Sequence, residues 1–135
     1  MSIDYKVRML EAEFIQHKKH PVGVTHMVVF TIRGISATET GGLRFYNRTG
    51  KTLSIVEVFA SVSSVPVTTD VIVDVNKNGT SVLSAALHIA VGANSGSTVG
   101  ISTAEFAVGD YLTLDVDQES AAGGGTDLVV QVVVR

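Results

Sequence analysis

The chain has 135 residues, enough for one domain that buries about two thirds of the surface its unfolded form exposes. Cysteine is absent, which excludes disulfides and thiolate metal sites, and Val outnumbers Leu 23 to 8, a β-branched bias that favours the pleated strand. The formal charge of −3 hides an asymmetry: residues 1–50 hold seven Lys/Arg against four Asp/Glu, residues 51–135 three against nine, so a basic end precedes an acidic body.

The first 23 residues stand outside any strand pattern. Val7, Leu10 and Phe14 have helical spacing, but the segment is short and charged and ends in His17-Lys18-Lys19-His20-Pro21. We read it as an arm that packs on something else. Lys6, Arg8, Glu11 and Glu13 interrupt the apolar core that a signal peptide needs, and no run of about 20 apolar residues occurs, so neither export nor a membrane is expected.

From residue 24 onward short apolar runs alternate with turn residues, the cadence of an all-β sandwich. Strands are predicted over 24–33, 43–46, 52–62, 71–76, 80–83, 87–91, 98–102, 111–118 and 128–134. Asn78-Gly79 between alternating runs predicts a two-residue type I′ hairpin. Alternation puts Val56, Val58, Ala60 and Val62 on one side, Val71, Val73 and Val75 on one side, and Leu112, Leu114 and Val116 on one side, with Asp74, Thr113, Asp115 and Asp117 on wet outer faces. The last strand is apolar on both faces: Leu128, Val130, Val132 and Val134 lie opposite Val129 and Val133, and a strand of that kind wants a second partner. The glycine-rich stretches 41–42, 92–100 and 123–125 read as flexible loops. The expected architecture is an antiparallel, jelly-roll-like β-sandwich over 24–135 behind the arm 1–23.

Candidate chemistry is thin. Gly50-Lys51-Thr52 resembles the tail of a phosphate-binding loop, but the required earlier glycine is Phe45 and the segment joins two strands. His17 and His20, with His26 near, have metal-compatible spacing but no supporting thiolate or carboxylate set, so a polar patch is the simpler reading. His88 fits a satisfied wall histidine, and no Ser-His-Asp set can be nominated. Asp115 and Asp117, joined by Asp74, could in principle hold calcium, but a solvated acidic face is the simpler reading. Sugar processing usually displays aromatic platforms, whereas here there is no Trp and only Tyr5, Tyr46 and Tyr111. Asn47-Arg48-Thr49 and Asn78-Gly79-Thr80 match the glycosylation triplet but read as turns. Nucleic acid is opposed by the acidic body and the lack of aromatics interleaved with Lys/Arg. No catalytic residue, cofactor or metal is therefore expected.

Leu43 to Tyr46, Ala60-Ser61-Val62, Val71 to Thr80, Phe106 to Gln118 and Asp127 to Gln131 resemble, in order and spacing, a domain that recurs in structural proteins of tailed bacteriophages. The similarity covers about residues 43–135. It implies a virion component with no catalytic residues, either a capsid decoration (cement) protein binding the outside of the head or a tail, fibre or receptor-binding adhesion module. In that family the domain usually ends a longer protein; here it follows some 40 residues, which counts against a long fibre role, while the doubly apolar last strand and the arm favour the decoration reading. On that reading the arm contacts the major capsid protein or other virion proteins through Val7, Leu10 and Phe14 as anchors and Arg8, Lys18 and Lys19 as cations. Val129 and Val133 then lie between subunits of a homo-oligomer, expected as a trimer.

Overall fold

A computed structural model describes residues 24–35 and 37–135. The arm residues Val7, Arg8, Leu10, Phe14, Lys18 and Lys19, together with His17 and His20, lie outside the described residues. Among the latter the chain forms β1 (His26–Ile35), β2 (Arg44–Tyr46), β3 (Leu53–Ser61), β4 (Val71–Lys77), β5 (Thr80–Ser81), β6 (Leu87–Ile89), β7 (Ser95–Thr98), β8 (Glu105–Phe106), β9 (Tyr111–Gln118) and β10 (Thr126–Val134).

All pairings between these strands are antiparallel. One sheet runs β1-β10-β3-β7, with β8 beside β7 on the same edge of β3; the other runs β2-β9-β4, with β5 and β6 sharing the far edge of β4. Without the two-residue strands β5 and β8 the orders are 1-10-3-7 and 2-9-4-6. That interleaving of early and late strands in two packed sheets is the jelly roll.

The core follows from alternation. Val71, Val73 and Val75 of β4, Leu112, Leu114 and Val116 of β9, and Leu128, Val130, Val132 and Val134 of β10 all point between the sheets and are buried, with Val28 and Phe30 of β1 and Phe106 of β8. In β3 the alternation breaks. Val133 pairs with Glu57 but Val134 pairs with Ile55, so Val56 is the extra residue of a bulge. Leu53 and Ile55 then point inward on the same side as Val58, Ala60 and Val62, while Val56 is only half-buried and does not share that face.

Three further expectations change. The strand placed at 98–102 is instead β7 at Ser95–Thr98, inside the stretch read as a flexible loop; its short polar residues carry no apolar alternation because it is an edge strand. The two-residue β8 falls in text read as irregular. Thr113 is on the outer face of β9 but buried, between its cross-strand neighbours Arg44 and Asn76. The hairpin is as expected: Asn78 (φ 51°) and Gly79 (φ 91°) both take positive φ between the paired residues Lys77 and Thr80.

Candidate interaction surface

The two outer faces of the sandwich differ in kind. On the first sheet the register lines side chains up in rows across the strands. Met27, Val133 and Glu57 form one row; Val29, Gln131, Phe59 and Ser97 the next; Thr31, Val129, Ser61 and Ser95 the third. Glu57 is the single charge in these rows. Met27 and Val29 are more than half exposed (54% and 52%), while Val129 and Val133, in the central strand β10, are half-buried by in-plane neighbours. The Gln131 side-chain amide donates to Met27 Sδ (3.2 Å), which ties β10 to β1 across this surface.

The second sheet presents charge. Asp74 and Asp115 are direct cross-strand partners on β4 and β9, an arrangement that repels unless each carboxylate finds donors. Both do: Asp115 accepts from the Gly41 amide (2.6 Å) and Asn76 Nδ2 (2.8 Å), and Asp74 from the Val75 amide (2.9 Å) and Ser81 Oγ (2.7 Å). Asp117 is the extra residue where β9 slips against β4, between the pairs Val73–Val116 and Ile72–Gln118. Burial, and then the charges of Asp74 and Asp115, push its carboxyl above the usual range. Among the described residues no three acidic or imidazole side chains converge as an ion would require.

One cluster on this face escaped the sequence reading. Tyr46 and Tyr111 are cross-strand partners with ring centroids 5.3 Å apart; the Arg44 guanidinium lies over the Tyr111 ring at 4.4 Å and donates to Tyr46 Oη (3.3 Å). The i, i+2 spacing of Arg44 and Tyr46 was the available local signal. Tyr111 joins them through a pairing distant in sequence.

The remaining candidates have structural roles. His88 Nδ1 sits 3.0 Å from Asp70 Oδ2, and Asp70 Oδ1 accepts from the Val91 amide, so the pair clips β6 to the start of β4. The His88 contact, and then the amide, hold the Asp70 carboxyl below the usual range. The His88 side chain is half exposed, not a wall residue. Asn47 is buried: its Nδ2 donates to the Lys51 and Phe106 carbonyls and its Oδ1 accepts from the Thr49 amide and hydroxyl. It fixes the β2–β3 turn that contains Gly50-Lys51-Thr52. Asn78 closes the hairpin onto Asp110 and Tyr111.

No known family model matches the chain, and no curated protein matches it significantly. Among solved structures it is similar to the catalytic unit of a thermostable GH87 alpha-1,3-glucanase from Streptomyces thermodiastaticus strain HF3-3, at 16% identity and a TM-score of 0.37, over 82% of this chain and 25% of that one. The chain thus spans about a quarter of that structure. The jelly-roll assignment rests on the strand order above.

Proposed function

We propose that the chain is a non-catalytic virion structural protein, a capsid decoration protein that binds the outside of a phage head and ties neighbouring subunits together. The observation that carries this reading is the contrast between the outer faces. A surface with five apolar side chains and one carboxylate in its rows suits a dry protein contact, whereas an acidic face suits solvent. Val129 and Val133 lie on the apolar face, which supports their assignment to the subunit interface of a homo-oligomer. The sequence resemblance supplies the virion context. It also supplies the capsid partner that Val7, Leu10, Phe14, Arg8, Lys18 and Lys19 would contact.

The test is co-sedimentation of the full chain with undecorated heads. Wild type is expected to saturate the shells, Met27→Glu with Val29→Glu to bind at least tenfold more weakly, and Asp74→Asn with Asp117→Asn to bind as wild type. Equal binding by all three proteins, or none, overturns the reading. A second reading, a tail, fibre or receptor-binding module, is favoured by the Arg44–Tyr46–Tyr111 cluster, in which Arg44 and Tyr46 are exposed and Tyr111 half-buried, so that guanidinium and ring could meet a receptor. It requires loss of host attachment on Tyr46→Ala with head decoration unaffected.

A further inference from the structure

Phe45 is a core-facing residue that the core does not cover. Its cross-strand partner Leu112 is fully buried and points between the sheets, so Phe45 points there too. Yet it is 44% exposed. The cause is a gap between β1 and β2 at one end of the sandwich, a cavity of about 230 Å³ walled by Met27, Val28, Phe45, Leu53, Phe106 and Val134, with His26, Asn47 and Thr49 adding polar atoms. On the opposite side the sheets are joined by the bridge between Leu83 and Ile101. Such a gap has room for one large apolar side chain.

We infer that this cleft receives the apolar residues of the N-terminal segment, Phe14 foremost, from a second copy of the chain, so that neighbouring copies are linked arm into cleft. The inference deepens the assembly reading above, assigns the apolar residues of the segment to a neighbouring copy instead of the capsid partner, and does not depend on which particle is decorated. Three observations choose this occupant. Residues 1–23 precede Val24, and Phe14 lies ten residues upstream of it, a reach of about 30 Å when extended, comparable to the width of a small domain. Charge is complementary: Arg48 and Lys51, on the turn carrying Asn47 and Thr49, and Arg135, next to Val134, flank the cleft and are exposed, while Glu11 and Glu13 stand between Leu10 and Phe14.

The third observation separates a neighbour's segment from the chain's own. β1 begins at the cleft wall with His26, so a segment folding back into its own cleft would have to reverse direction within the short stretch between Phe14 and Val24, which contains Pro21. A segment arriving from a neighbour needs no such reversal. Met27 belongs both to the cleft wall and to the apolar outer face, so a subunit packed on that face already stands beside the cleft. Arm-into-cleft contact is heterologous, and repetition about a rotation axis closes a ring such as a trimer.

The absence of cysteine makes the test clean. Full-length Ala12→Cys chain is mixed with full-length His26→Cys chain under mild oxidation, without particles. A disulfide-linked pair containing one of each is expected. Linkage only within single chains of the double variant, with none in the mixture, would show the segment in its own cleft and overturn the inference, as would no linkage at all. Sedimentation gives an independent measure: Phe14→Ser and Phe45→Ser should each weaken self-association at least tenfold, and the two together little more than either alone. A change under twofold for Phe14→Ser overturns the inference. Linkage between chains without particle binding would sink the virion reading alone, and decoration of heads without that linkage would sink this inference alone.

Discussion

Two glycines with nearly the same backbone conformation should respond very differently to alanine. Gly79 (φ 91°) ends the hairpin turn, and a Cβ built on it meets nothing within 4 Å. Gly79→Ala therefore costs only the positive φ, about 1 kcal/mol, or roughly 4 °C of Tm for a domain of this size. Gly124 (φ 78°) lies in the loop before β10, and a Cβ there would overlap the Val65 carbonyl oxygen and press on the Pro66 Cα at 3.4 Å. Those are backbone atoms and cannot rotate away. The loop must move, with the Gly125 amide bond to the Ser64 carbonyl (2.8 Å) and the Ser120 hydroxyl contact to the Gly123 carbonyl at risk. The expected cost is about 3 kcal/mol or more, the range of a lost buried polar network added to strain. The consequence reaches the proposed interface, because this loop delivers β10 in register and a one-residue slip would turn Val129 and Val133 inward. Thermal unfolding followed by circular dichroism, at one protein concentration, measures both. Equal losses for the two variants, or an unchanged Tm for Gly124→Ala, would refute the reasoning.

Val129→Lys with Val133→Lys places two ammonium groups on the apolar face and should give monomers in sedimentation, with the fold retained because neither side chain points into the core; a wild type that is already monomeric at micromolar concentration defeats this expectation. Asn47→Ala removes four side-chain hydrogen bonds from a buried position and should cost about 2–4 kcal/mol in chemical denaturation; a loss below about 0.5 kcal/mol would mean the turn holds without it. The Asp70, Asp110 and Asp127 carboxyls are held below the usual range by the His88 ring and Val91 amide, by the Asn78 amide and Ala107 N–H, and by the Gly34 N–H and Ser63 hydroxyl respectively. Depressed groups stabilise the fold above the unfolded value near pH 4 and lose that contribution as pH falls through the folded values, so Tm should drop on acidification below about pH 4. Asp117 has the opposite sign: raised in the folded state, it opposes folding once ionised. Solvent screening keeps the effect small, so Asp117→Asn should raise stability by no more than about 0.5 kcal/mol at pH 7, and not at pH 3. An equal gain at both values would contradict its like-charge environment.

Local signals in the sequence carried some elements completely. The Asn78-Gly79 turn and the Val/Leu alternation of β4 and β9 depend on neighbours in the chain, and both stand in the structure as expected. Signals set by distant partners did not carry. Val56 read as inward because the bulge opposite Val133 and Val134 exists only once β10 is paired. β7 was hidden because an exposed edge strand needs no apolar face. The Arg44–Tyr46–Tyr111 cluster and the gap beside Phe45 arise from pairing β2 with β9 and from the separation of β1 and β2, which no local pattern encodes. The two-sided apolar character of residues 128–134 was visible, and its origin is now plain: β10 is a central strand whose outer side, at Val129 and Val133, belongs to a nearly uncharged face.

The most direct measurement is the number of copies of the chain in purified particles, counted by quantitative mass spectrometry against the major shell protein. A decoration protein repeated over a symmetric shell should be present in copies on the order of hundreds. A handful of copies per particle would move the chain to a tail tip, and absence from particles would contradict the account.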